Sequence, residues 1–367
     1  MMQILHFKFC VLAALLAWGV GFAVAAELGL PPLPHPAHNL PTPGSIALGK
    51  KLFHDKRLSA DGSVSCATCH IPEKAFADGL TVAKGLGGQT GTRNTPTLLN
   101  VAFEKNFFWD GRRATLEEQA QDPFINPREH GFKEHTQLIA TIRNNQAYRL
   151  AFKKAFSVQP EAITMEHVTR AIASFERTLI AADTFFDRYY YGGDQTAMSE
   201  AAIRGLALFK GNARCASCHI IGETSTTFTD NQFHSLGIGY RKIEQRLAKI
   251  TTHFAKQRGK PIDHSILSDA DVSELGRFTV TLNPMDIAKF RTPSLRNVAL
   301  TAPYMHDGSV STLAEVVELE VYYRSLESGQ PLILTPQEQS DLLAFLRALT
   351  SGKAAKQATG IKQVTNE

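Results

Sequence analysis

Two pentapeptides carry the chemistry of this chain: Cys66-Ala67-Thr68-Cys69-His70 and Cys215-Ala216-Ser217-Cys218-His219. In each, two thiols lie two residues apart and an imidazole follows at once. That spacing attaches a c-type haem: both thiols add to the vinyl groups, and the adjacent histidine lies under the iron as proximal ligand. A redox dithiol or a zinc site also uses cysteines two apart, but neither calls for a histidine directly after both pairs. Two covalent haems are therefore expected, one on Cys66, Cys69 and His70 and one on Cys215, Cys218 and His219. The fifth cysteine, Cys10, falls in an apolar leader.

A haem that only carries electrons has two strong axial ligands, whereas peroxide chemistry needs one side vacant. From Ile71 to Glu129 the chain holds no His, Met or Cys, and the nearest soft donors are His130 and His135. The first iron is expected to be five-coordinate, with His70 proximal and its other face open. Peroxide cleavage also needs a group that moves a proton between the two oxygens. Glu129, just after Asn126-Pro127, is the candidate, although a solvated surface is the commoner place for a glutamate. Trp109, next to Phe107 and Phe108, reads either as a core residue or as an aromatic relay between the irons.

The elements that position these residues are duplicated. Residues 47–53 and 203–209 read as amphipathic helices, each with a glycine (Gly49, Gly205) four residues before a phenylalanine (Phe53, Phe209). A small residue there would let the helix approach the one that closes the haem fold. Downstream, residues 94–119 align without a gap to 291–316: Pro96 pairs with Pro293, Asn100 with Asn297, Gly111 with Gly308, Leu116 with Leu313. Asp-Gly marks a turn in each copy, and Thr115 and Thr312 read as N-caps. The differences matter as much: Trp109 faces His306 and Pro123 faces Glu320, so the two haems should not be equivalent.

Further helices are expected over 136–155, 165–188, 198–210, 312–326 and 335–349, with no convincing alternating strand. The fold class is all-α: two cytochrome c-like haem modules related by internal duplication, with irregular loops. The expected division is 1–25 signal peptide, 26–44 Pro-rich leader acting as an extended tether, 45–195 N-terminal peroxidatic module, 196–352 C-terminal electron-transfer module and 353–367 flexible tail. The insert 220–290 reads as a polar surface excursion.

The remaining bounds are broad. The chain has 367 residues, 43% hydrophobic and 20% charged, with a formal net charge of +4. This excludes a disordered chain, a fibre and a multi-span membrane protein, and gives no nucleic-acid-binding balance. Lys8, the apolar run from Phe9 to Val24 and Ala23-Val24-Ala25 form an export signal, so a periplasmic location is expected, with membrane attachment only if the signal stays uncleaved.

With these motifs in place, the chain resembles the bacterial dihaem cytochrome c peroxidases and the related MauG enzymes. The resemblance covers nearly all of the mature protein and rests on both haem motifs, on 108–112, on 116–120 and on 295–308. It implies a peroxidatic haem in the first module and an electron-transfer haem in the second. It further implies an inter-haem tryptophan at Trp109 and a distal pocket of Gln119, Pro123 and Glu129. A calcium ion between the modules would be held by Asn94 and the carbonyls of Thr301 and Pro303. The implied reaction consumes hydrogen peroxide, with the oxidising equivalents shared between the haems and Trp109. The donor is either a small redox protein (a cytochrome c or a cupredoxin) or a protein substrate that is modified. A dihaem cytochrome that only conducts is the non-enzymatic alternative.

Three departures from the family pattern stand out. The loop after the first haem motif lacks the histidine that blocks the peroxidatic iron in typical peroxidases, which resembles MauG. The second haem's distal position, Met in peroxidases and Tyr in MauG, matches Glu320, but Tyr323, one helical turn on, is the first candidate for the ligand, then Glu320, then Met285. The surface tryptophan that MauG carries before its second haem motif is here Ala213.

Overall fold

A computed structural model describes residues 27–256 and 262–359. The signal segment 1–25 lies outside the described residues. Helices dominate, and the one sheet among the described residues is the two-stranded antiparallel pair Phe233–His234 with Phe290–Arg291.

The duplication is visible in the packing. In the first module the helix Pro43–His54 crosses the helix Met165–Glu176; in the second, Glu200–Lys210 crosses Pro336–Ala348. Gly49 and Gly205 are the contact points. A Cβ on Gly49 would lie 1.9 Å from the Ala171 carbonyl oxygen, and one on Gly205 would lie 1.9 Å from that of Asp341. The phenylalanine one turn on seals each crossing: Phe53 meets Phe175 at 5.2 Å and Phe209 meets Phe345 at 4.9 Å between ring centroids. The 94–119 and 291–316 repeats also share backbone conformations and hydrogen bonds at matched positions. Asn100 and Asn297 both take the left-handed conformation, at φ 62°. Their side-chain oxygens accept from the Ala181 and Ser351 amides, each at 2.9 Å. Thr115 and Thr312 cap the helices Leu116–Ile125 and Leu313–Ser328.

Several expectations change. The helix expected over 136–155 is two, His135–Arg143 and Gln146–Phe156, because Asn145 leaves the helical region and caps the second. The one expected over 165–188 breaks after Glu176 and resumes as Phe185–Tyr190 under the Thr184 cap. Phe186 from that short helix packs in the second module's core, with Phe209, Phe228 and Phe345. The insert is more than a surface excursion: Ile243, Ile250, Phe254, Ile266, Leu275 and Phe278 form a core of their own. Part of the expected tail is a helix, Gly352–Thr359, and its Ala354 is buried in the first module's core.

The Pro-rich leader is a docked strap. The Gly29 carbonyl accepts from the Thr226 amide and from the Arg296 guanidinium, which also forms a fully buried fork with Asp187 at 2.9 Å. Ten residues on, Asn39 donates to Glu117 (2.6 Å), which Arg177 holds from the other side. One short segment thereby ties into both modules.

Gly205→Ala gains helix propensity of up to about 1 kcal/mol but drives a methyl into a backbone carbonyl, which costs more. The net expectation is destabilisation by about 2 kcal/mol, read by thermal unfolding; a variant as stable as the parent would contradict this account of the crossing.

Candidate active site

Each haem motif sits on a short turn after its crossing helix, Cys66–Cys69 in the first module and Cys215–Ser217 in the second. All four cysteines are free thiols. The His70 Nδ1 donates to the Phe76 carbonyl at 3.0 Å, and the His219 Nδ1 donates to the Phe228 carbonyl at 2.8 Å. A carbonyl can only accept, so Nδ1 carries the proton and Nε2 keeps its lone pair for a metal. Burial pushes both imidazoles down, His219 to about 4, which keeps them in the neutral, ligating form. Unpaired thiols beside a neutral, oriented imidazole are the donor set that a covalently attached haem requires, and the residues fit it at both sites.

At the first site, burial and then the nearby Glu129 charge push the Cys69 thiol up to about 12. Glu129 is half-buried, and its place is set by backbone contacts: the Leu86 amide donates to its carbonyl at 3.2 Å. Gly85 permits the approach, since a Cβ there would lie 1.9 Å from the Arg128 carbonyl oxygen. Gln119 and Pro123 lie one turn apart on the helix Leu116–Ile125, which puts them on one face. His130, remote from the motif in sequence, is brought beside it. Its Nδ1 donates to the Leu58 carbonyl at 2.7 Å and its Nε2 faces the Cys66 sulfur at 4.0 Å. His135 is turned away, with Nε2 on the Gln121 carbonyl at 2.9 Å.

At the second site, a cavity is lined by Cys215, Cys218, His219, Trp109, Glu320 and Arg324, among others. The helix Leu313–Ser328 presents Val316, Val317, Glu320, Val321 and Arg324 to it, a stripe of helical period. Glu320 and Arg324 form an ion pair at 3.4 Å. Of the three side chains weighed for the distal position, Glu320 lines this cavity. Tyr323 packs by Gly237 and under the Arg241 guanidinium, and Met285 is 74% exposed on another turn. Met305 and His234 also line the cavity; neither was singled out from sequence, because nothing in their local spacing marks them.

Trp109 lies between the modules. Its indole donates to the Asn94 carbonyl at 2.9 Å, its own carbonyl accepts from the Arg291 amide at 2.9 Å, and its side reaches the second cavity. Asn94, Thr301 and Pro303 line the same cavity, and the Asn94 side-chain nitrogen donates to the Leu80 carbonyl at 2.9 Å. His306, the counterpart of Trp109, is a different group in the same frame. It stacks on Phe290 at 3.7 Å and its Nε2 hydrogen-bonds the Glu274 carboxylate at 2.6 Å, while Lys242 bridges Glu274 and Asp307.

Sequence reasoning also missed Glu176, a charge in an otherwise apolar helix face. It is buried, one of its oxygens has no hydrogen-bond partner among the described residues, and burial pushes it up to about 8. After burial itself, its charge is the largest influence raising Cys66.

The pattern of the di-haem cytochrome c peroxidase family matches residues 43–196. The chain is 38% identical to cytochrome-c peroxidase IdrP1 of Denitromonas iodatirespirans, over 88% of this chain and 85% of that one. It is 36% identical to methylamine utilization protein MauG of Methylorubrum extorquens, over 88% and 83%. Among solved structures it is similar to a MauG-like protein associated with microbial copper homeostasis, with a TM-score of 0.72, 32% identity, and 91% and 97% coverage.

The raised Glu176 favours its neutral form only in the folded state. Folded stability should therefore fall as pH climbs from the ordinary carboxylate value towards about 8, and be intact below it. Glu176→Gln should flatten that slope when thermal unfolding is followed between about pH 5 and about pH 9. A slope identical to the parent's would show that Glu176 ionises at no cost.

Proposed function

The chain belongs to the di-haem cytochrome c peroxidase family, and on that premise we propose that it reduces hydrogen peroxide at the His70 site, with electrons entering through the His219 site from a cytochrome c or a cupredoxin outside the cytoplasm. The bound haems supply peroxide binding and one-electron redox chemistry. Cys66, Cys69 and His70 hold one, and Cys215, Cys218 and His219 the other.

The rest of the work falls to the chain. Glu129 takes the proton from one peroxide oxygen and returns it to the other, so that two electrons and two further protons leave two waters. Gln119, on the helix Leu116–Ile125, orients the peroxide. Trp109, touching both modules, passes electrons between the sites. The Asn94 side chain and the Thr301 and Pro303 carbonyls would hold a calcium ion, whose charge would stiffen the seam between the modules. The observation that carries this reading is the contrast between sites: the Glu129 charge is felt by the first pair of thiols, whereas Glu320 and Arg324 line the second cavity. Glu320 is accordingly our choice for the ligand opposite His219.

Two facts favour a second reading, in which a partner protein's side chain is the electron donor and is oxidised, as in MauG. The 71–129 run lacks any side chain of the kind that closes a peroxidase until reduction. The structural relative that is 32% identical is itself described as MauG-like. Ala213, only 1% exposed, offers no surface aromatic before the second motif, so such a partner would dock elsewhere.

Stopped-flow mixing with peroxide separates the two. A need for prior half-reduction supports the peroxidase, and immediate reaction of the oxidised protein supports the MauG-like route. In either case Glu129→Gln should slow the peroxide step by roughly 10²-fold with both haems retained; an unchanged rate removes Glu129 from the mechanism.

By EPR the oxidised protein should show one high-spin and one low-spin haem, with His130→Ala leaving the high-spin signal in place. Glu320→Gln should alter only the low-spin signal, and Met305→Leu should leave it unchanged. Two low-spin haems in the parent would overturn the open-site reading.

A further inference from the structure

Arg291 occupies the frame position that Asn94 holds in the first repeat, so the duplication has exchanged an amide for a guanidinium at one point of the seam. The residue is firmly placed. It lies on the strand Phe290–Arg291, paired across to Phe233, and its backbone amide donates to the Trp109 carbonyl at 2.9 Å. Its side chain is 5% exposed and lines the cavity that also holds Cys215, Cys218 and His219. One nitrogen, Nη2, pairs with Glu104 at 3.0 Å. The other two, Nε and Nη1, are buried and have no acceptor among the described residues.

A buried guanidinium with two nitrogens unmet, three N–H groups between them, is costly, since each charged hydrogen bond is lost to water without replacement and the charge itself is poorly solvated. Such a group persists in a native site when an acceptor arrives from elsewhere. The fork of N–H donors on an arginine fits a carboxylate held edge-on better than it fits any neutral acceptor. A protohaem brings two carboxylates, its propionates, on the edge of the ring opposite the vinyl groups that the thiols capture. We propose that Arg291 is the receptor for a propionate of the second haem, completing a Glu104–Arg291–propionate row in which one cation is shared by two anions. The inference rests on the two-haem reading above and adds a residue to it. The consequence is specific to the second site: a fixed positive charge beside that porphyrin favours its reduced state, and the same residue's backbone holds the Trp109 carbonyl. Arg291 thus acts as a positioning residue that couples the potential of the second haem to the seam.

The test uses the haem-loaded protein and the variants Arg291→Met and Arg291→Lys. Resonance Raman spectroscopy reads the propionate bending band, whose frequency follows hydrogen bonding to the propionates, and a spectroscopic redox titration reads the two haem potentials. Arg291→Met should shift the band and lower the potential of the second haem while leaving the first unchanged. Arg291→Lys should restore the potential, because the charge is kept, but not the band, because the fork is lost. A band and a second-haem potential identical in parent and Arg291→Met, as expected if waters meet the two unpartnered nitrogens, overturn the proposal. If Arg291→Met does not accumulate, Arg291→Lys decides alone: a shifted band supports the receptor and an unshifted one overturns it. Haem counting by the pyridine haemochrome method keeps the two levels apart. Fewer than two haems in the parent defeats the two-haem reading, whereas two haems with an unmoved band defeats only Arg291.

Discussion

The site depends on one hydrogen bond made twice. An imidazole becomes a directed ligand only when its other nitrogen is committed, and here a loop carbonyl commits it, from Phe76 in one module and from Phe228 in the other. Those carbonyls are placed by a loop that must return to its own haem motif, and in the first module the return closes as the Ile71–Ala77 bridge with Ala75 and Phe76 both at positive φ. The loop rests in turn on the crossing helices, which approach closely only because Gly49 and Gly205 lack side chains. Helix contact, loop path and ligand direction therefore form one chain of dependence.

Tying the two modules together falls to groups outside the haem motifs. The Asp187–Arg296 fork is almost wholly buried, at 0% and 1% exposure, and it takes in the Gly29 carbonyl of the leader as well. A buried ion pair of this kind contributes little net stability against an apolar replacement, yet breaking it by removing one partner costs about 3–5 kcal/mol. Its effect is on geometry: strap, second module and the short helix Phe185–Tyr190 have one permitted relation. The Gly352–Thr359 helix works in the other direction, carrying Ala354 from the end of the chain into the first module's core.

How legible all this is from sequence follows from the range of each interaction. Covalent attachment is local, so Cys-x-x-Cys-His announces itself, and a duplication announces itself through any alignment that keeps its register. The asparagine at 145 that splits a helix was readable in principle, since an N-cap competes locally with helix continuation, but the amphipathic pattern on either side masks it. The docking of Gly29 and Asn39 was not readable, because a Pro-rich composition describes the local path and says nothing of what the path rests on. Glu176 and Arg291 lay beyond reach for the same reason. A charged residue is marked as unusual only by burial, and burial is a property of the assembled fold.

The two modules share a backbone frame, and several of the side chains in which they differ lie at the haem sites and the seam. Trp109 against His306 sets an indole, bonded to Asn94 and open to the second cavity, against an imidazole locked in the insert by Glu274 and stacked on Phe290. Pro123 against Glu320 sets a residue with no donor atom against a carboxylate that enters a haem cavity. Asn94 against Arg291 sets a neutral amide against a fixed charge. In each pair the backbone frame is kept and the chemistry of the side chain is exchanged. A frame duplicated without these exchanges would build two equivalent sites, so whatever distinguishes the two sites lies in the exchanged side chains and not in the backbone.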